Sequence, residues 1–106
     1  MEYEIVWTRS AEADLNEIIE YIAKDSINIA LEKFFKIREA VEKAAQYPEK
    51  SRIIPELKEQ NINKYREMIY PPWRIFFRID KGTISILAVI DGRRNIEEIL
   101  LQRQLR

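Results

Sequence analysis

A chain of 106 residues with 46% hydrophobic content reads as one domain over residues 1–106, large enough to build a core without metal or disulfide staples. It contains neither histidine nor cysteine, which excludes disulfides, Ser-His-Asp and Cys-His nucleophile systems and the usual zinc ligand sets. The formal net charge is +0 from 18 basic and 18 acidic residues, which argues against a general nucleic-acid coat protein; yet residues 1–63 carry 9 basic and 13 acidic side chains and residues 64–106 carry 9 and 5.

In chain order, residues 3–8 are rich in β-branched and aromatic types and predict a strand. Ser10 then reads as an N-cap, with Glu12 and Asp14 in the positive first turn of a helix. Leu15, Ile18, Ile19 and Ile22 follow at helical spacing and form one apolar stripe. Lys24-Asp25-Ser26 interrupts it, and a second stripe follows at Ile27, Ala30, Phe34, Ile37, Val41 and Ala44. Two stripes separated by so short a break predict an antiparallel helical hairpin. Pro48 ends the second helix, and residues 46–63, with Pro48 and Pro55 among polar residues, read as a connecting stretch with little regular structure, free to move.

Lys64–Tyr70 and Trp73–Asp80 predict two strands joined at Pro71-Pro72, which cannot donate backbone hydrogen bonds and favour a turn. In the second of them Trp73, Ile75, Phe77 and Ile79 take one face, leaving Arg74, Phe76, Arg78 and Asp80 on an outer, cationic face. Lys81-Gly82 supplies a tight turn into Thr83–Asp91, where Ile84, Ile86, Ala88 and Ile90 oppose Leu87 and Val89. A strand apolar on both faces belongs inside a sheet. Asn95 to Glu98 has capping-box spacing ahead of a short last helix. The order is β-α-α-β-β-β-α, an α+β domain with a helical hairpin on a mostly antiparallel four-stranded sheet.

Two glycines, Gly82 and Gly92, preclude a glycine-rich phosphate loop. The acidic residues fall at solvated helical spacing, as at Glu32 and Glu39, so no metal site and no cofactor is expected. Arginine remains. Guanidinium forks bind phosphate through paired hydrogen bonds, so Arg66, Arg74, Arg78, Arg93 and Arg94 could hold a nucleic-acid backbone or stabilise a phosphorane. Phe76 could stack a base and Glu56 could act as a general base. The alternative is a sheet face salted with arginines for solubility and for pairing with Glu67 and Asp80.

The ordered set Ser10-Ala11, Asp14-Leu15, Ile18, Tyr21-Ile22, Pro48, Arg52, Pro55-Glu56-Leu57, Tyr65-Arg66-Glu67, Trp73-Arg74-Ile75 and Ile90-Asp91-Gly92-Arg93-Arg94-Asn95 resembles the RelE/ParE superfamily of toxins from type II toxin–antitoxin pairs. The resemblance covers nearly the whole chain. It implies a small cytoplasmic toxin masked by a cognate antitoxin, in keeping with an acidic start that lacks the build of a secretion signal. It also implies one of two targets. A RelE-like member would cut messenger RNA on the ribosome, with Glu56 as base and Arg66, Arg74 and Arg93 neutralising the phosphorane. A ParE-like member would poison DNA gyrase without being an enzyme, using Arg66, Arg74, Phe76, Arg78, Asp91, Arg93 and Arg94 to meet its target. Asp91 stands where many relatives place histidine before Gly-Arg-Arg, which favours the ParE-like reading. An inactive relative kept as a partner-binding module is a third possibility. The antitoxin is expected on apolar ground near the helical hairpin or the final helix, at Ile96, Ile99, Leu101 and Leu105.

Overall fold

The computed structural model describes residues 3–106. Strand β1 (Glu4–Trp7) leads into helix α1 (Arg9–Ala23) and helix α2 (Ile27–Ala44). A 3-10 turn (Pro48–Lys50), strand β2 (Arg52–Ile53) and the short helix α3 (Pro55–Lys58) follow. Strands β3 (Arg66–Tyr70), β4 (Trp73–Asp80) and β5 (Thr83–Asp91) and helix α4 (Ile96–Gln102) complete the chain.

The helical hairpin is where the apolar spacing puts it, with different local chemistry at its start. Thr8, not Ser10, caps α1: its Oγ1 accepts from the Ala11 N–H at 3.2 Å and donates to the Ile86 carbonyl at 2.7 Å. One hydroxyl thus satisfies a helix end and ties it to the sheet, while Ser10 already lies within the first turn. Ser26 caps α2 by accepting from the Ile29 N–H. The α2 stripe turns Ala30, Ile37 and Val41 into the core, but Ile27 is 68% exposed. As the first residue of α2 it stands at the reversal, where α1 has already ended.

The sheet has five strands in the order β1-β5-β4-β3-β2, one more than the pattern implies. The addition is β2, whose Arg52 and Ile53 pair antiparallel with Glu67 and Arg66. The stretch expected to lack regular structure therefore carries a strand and a helix. β1 runs parallel to β5, and all other pairings are antiparallel, so β5 lies inside the sheet as expected. The β4–β5 turn places Lys81 and Gly82 at φ of 46° and 81°, the double positive φ of a type I′ hairpin.

Two cores result. On one face the hairpin residues Ala11, Leu15, Ile37 and Val41 meet Ile75, Phe77, Ile84 and Ile86. On the other, α3 and α4 cover Phe76, Ala88 and Ile90 with Ile54, Leu57, Ile96, Ile99 and Leu100. A bulge permits this. Phe76 pairs with Ala88 and Phe77 with Ile86, so Leu87 is an extra residue and the alternation of β5 changes sides there. Ile84 and Ile86 consequently face the hairpin together with Val89, whereas Ala88 and Ile90 face α4; the even-numbered residues do not share one side.

Candidate functional site

The second face is not an open cationic surface. Phe76 is fully buried there, so it cannot stack a base: with Ala88 and Ile90 it forms an apolar strip that α3 and α4 remove from water. Beside it runs a chain of alternating charges. Glu67, fully buried on β3, accepts from Arg52 Nε at 2.6 Å, from Arg74 Nε at 2.6 Å and from Arg74 Nη2 at 3.0 Å. The other side of the Arg74 guanidinium grips Glu56 with two parallel bonds of 2.9 and 2.8 Å. Strand pairing dictates the first contact, because Glu67 on β3 lies between Arg52 on β2 and Phe76 on β4. Pro55, at the first helical turn of α3, then sets Glu56 within reach of Arg74.

These contacts set the electrostatics. Two arginines and two glutamates sum to zero, so the cluster offers a phosphate little net attraction. The Arg74 side chain is 11% exposed, and its five donors are largely spent on the protein's own carboxylates. Hydrogen bonding to Arg74 holds the Glu56 carboxyl below the usual carboxylate range against the opposing effect of burial, and raises Arg74 in turn.

The remaining candidates are dispersed. Arg66 donates to the Ser51 and Glu49 carbonyls and so fastens the 3-10 turn to β3. Arg78 pairs with Ser85 and Arg74 with Ile90, which puts the two arginines on one face but four residues, roughly 13 Å, apart along β4. Asp91 holds Arg93 through Nε at 2.9 Å and Nη2 at 2.6 Å, and also accepts from the Arg93 N–H. Those bonds lower the Asp91 carboxyl to about 2. Arg78 and Arg94 are exposed and have no ion-pair partner among the described residues. The expected common surface of guanidinium groups is thereby corrected: most are neutralised or committed to backbone carbonyls, and the two that are free lie toward opposite ends of the sheet.

The final helix requires a similar correction. Ile96 and Ile99 are 6% and 5% exposed because they pack on Phe76 and Ile90, so neither is available to a partner. Leu101 is 67% exposed and Leu105 is half-buried. Among the described residues no group of three or more carboxylates lies close enough to hold a metal ion, and no helix is long and apolar enough to cross a membrane.

One further charged contact has little sequence signal. Asp14 on α1 accepts from Arg103 Nη1 at 2.9 Å and Nη2 at 2.7 Å and from the Val89 N–H at 3.0 Å, joining α1, β5 and the turn after α4. Its partner lies 89 residues away in the chain. The one hint is a carboxylate directly before Leu15 on the apolar side of α1.

A family model described as the ParE toxin of the type II toxin–antitoxin system parDE matches residues 5–96, and the chain belongs to that family. Toxin RelE2 of Caulobacter vibrioides is 27% identical over 91 residues, covering 86% of this chain and 97% of that protein. A structure described as the chromosomal ParDE TA system from P. aeruginosa superposes with a TM-score of 0.69 at 25% identity, covering 84% of this chain and 95% of that one. The chain is thus a type II toxin of the ParE/RelE group, and the family implies a cognate antitoxin as partner.

Proposed function

We propose that this toxin inhibits growth as ParE-like toxins do, by poisoning DNA gyrase through protein contact, and that it does not cut RNA itself. The observation that carries this reading is the double grip of Arg74 on Glu56 and Glu67. A ribonuclease needs a base whose pKa lies near neutrality and arginines free to meet the developing charge on phosphorus. Here the candidate base is shifted the wrong way, and the candidate phosphate clamp already donates four hydrogen bonds to two carboxylates. Asp91, held near 2, cannot return a proton to a leaving group at neutral pH.

The chain belongs to a family described as ParE toxins, which agrees with this reading. Two assays run side by side test it. Purified gyrase should lose supercoiling activity when the chain is added, and toeprinting on translating ribosomes should show no new messenger ends. New messenger ends that vanish in Arg74→Ala would establish the ribonuclease reading instead. Expression without growth arrest and without either activity would mark an inactive, partner-binding relative.

A further inference from the structure

Helices α3 and α4 end in the same way. The Ile62 N–H donates to the Leu57 carbonyl at 2.9 Å and the Asn61 N–H to the Lys58 carbonyl at 3.0 Å. The Leu105 N–H likewise donates to the Leu100 carbonyl at 2.9 Å and the Gln104 N–H to the Leu101 carbonyl at 3.1 Å. Asn61 and Gln104 take φ of 62° and 60°. Each ending is a Schellman turn, which reverses the chain past its helix and folds one apolar residue back along it. Ile62 returns toward Leu57 and Leu105 toward Leu100, all within the second core. Neither left-handed position is a glycine, although a side chain is disfavoured there. Two strained residues thus hold Ile62 and Leu105 in place.

The two turns wall a groove of about 420 Å³ between α3 and α4. The volume falls within the roughly 300–1,000 Å³ of ordinary ligand clefts. Its apolar lining is Leu57, Ile62, Leu100 and Leu105, and the exposed Leu101 borders it. Its carboxylates differ in availability. Glu56 is spent on Arg74, whereas Glu59 and Glu97 are exposed and have no ion-pair partner among the described residues. Arg106 is the one cation in the lining. The walls are helices and their closing turns, not a sheet edge, so an occupant engages through side chains, as a helix laid in a groove does. A second copy would bring the same two carboxylates against Glu59 and Glu97, and a nucleic acid would bring phosphates; like charge opposes both. A basic amphipathic helix fits the groove in shape and in sign.

We propose that gyrase docks a basic amphipathic helix between α3 and α4, with its apolar side on Leu57, Leu100 and Leu101 and its Lys or Arg side chains on Glu59 and Glu97. This inference rests on the gyrase reading and gives it a contact surface. An enzyme that handles DNA presents Lys and Arg to phosphates, so a toxin that meets it there needs carboxylates, and Glu59 and Glu97 supply them. Most of the arginines first considered for target contact are occupied within the chain. Leu101 and Leu105, expected from the sequence to meet the antitoxin, serve the target instead.

Charge reversal in the full chain tests it. The double variant Glu59→Lys/Glu97→Lys alters only exposed side chains, and its half-inhibiting concentration in the supercoiling assay should rise at least about tenfold. Its affinity for the co-expressed antitoxin and its urea midpoint should match the parent. Leu101→Ser, which changes no charge, should raise the half-inhibiting concentration at least about fivefold. Glu39→Lys/Glu42→Lys makes the same charge change on exposed positions of α2 and should leave inhibition within about twofold of the parent. An equal loss in that control overturns the proposal, because net charge alone would then govern inhibition. Undiminished inhibition by Glu59→Lys/Glu97→Lys overturns it and leaves the gyrase reading standing. Undiminished inhibition with weakened antitoxin binding, or with loss of a dimer that the parent forms, gives the groove to the antitoxin or to a second copy. A parent chain without effect on gyrase removes both readings together.

Discussion

Arg74 is bound to Glu67 twice, through Nε at 2.6 Å and Nη2 at 3.0 Å, and this pairing decides how the cationic half of the chain is used. The buried carboxylate draws the guanidinium down against the sheet, where Glu56 of α3 completes its coordination. Arg74 thereby becomes a clamp between β4 and α3 instead of a phosphate ligand. The same geometry leaves Arg52 as a fourth, more exposed participant on β2.

Removing Glu67 should be costly. Glu67→Ala leaves Arg74 partly buried with only Glu56 for company and Arg52 with no carboxylate, and breaking a buried pair in this way costs about 3 kcal/mol. Urea denaturation should show the loss as a lower midpoint with an unchanged slope. A change under about 1 kcal/mol would mean that the network contributes little to the fold.

Acid should weaken the protein through Asp91 and Glu56. Both carboxyls titrate below their ordinary range in the folded state, Asp91 at about 2 and Glu56 lowered by Arg74. Each therefore contributes stability that is present above the unfolded pKa near 4 and is lost as pH falls toward the folded value. The denaturation midpoint should stay flat from about pH 7 to about pH 5 and fall below that. Asp91→Asn should flatten part of the acid limb, and an acid limb identical to that of the parent would contradict the Asp91–Arg93 pairing.

Asp14 offers a graded test. Asp14→Asn keeps an acceptor for the Val89 N–H but loses the charge that holds Arg103, while Asp14→Ala loses both. The expected costs are about 1 kcal/mol and about 2–3 kcal/mol respectively, read from thermal or urea unfolding. Equal losses in the two variants would show that the bond to the Val89 N–H contributes nothing.

Gly92 constrains Arg74 from above. A Cβ at this position would lie 3.1 Å from the Pro72 carbonyl oxygen and 3.3 Å from both Cγ and Cδ of Arg74. The Arg74 stem cannot swing aside, because its guanidinium is fixed at both ends by carboxylates. Gly92→Ala should therefore destabilise by about 1–2 kcal/mol, an overpacking cost. In the Glu56→Ala background, where Arg74 can shift, the cost should shrink, and a double-mutant cycle measures the difference.

The parts of this molecule written in local pattern were legible. Leu15, Ile18, Ile19 and Ile22 gave α1, the 30–44 stripe gave α2, Lys81-Gly82 gave the hairpin, and Asn95, whose side chain accepts from the Glu98 N–H, gave the start of α4. β2 escaped because two residues carry no period, and Arg52 and Ile53 become a strand only by pairing with β3. The burial of Phe76 has no local signal, because alternation along β4 says which residues share a face and nothing about whether α3 and α4 cover it. The arginine pairings were hidden for the same reason: Glu56 and Glu67 lie 18 and 7 residues from Arg74, and only strand register and the placement of α3 bring them together. The bulge at Leu87 has no residue signature at all, yet it sends Ala88 and Ile90 to one core and Val89 to the other.

The proposed mode of action turns on whether Glu56 has any chemical task. Supercoiling by purified gyrase, measured with added wild-type chain and with Glu56→Gln, addresses it directly. A toxin that works by contact predicts that both proteins suppress supercoiling, with half-inhibiting concentrations within about threefold of each other, a difference well under 1 kcal/mol. Normal supercoiling at saturating wild-type chain would contradict the account.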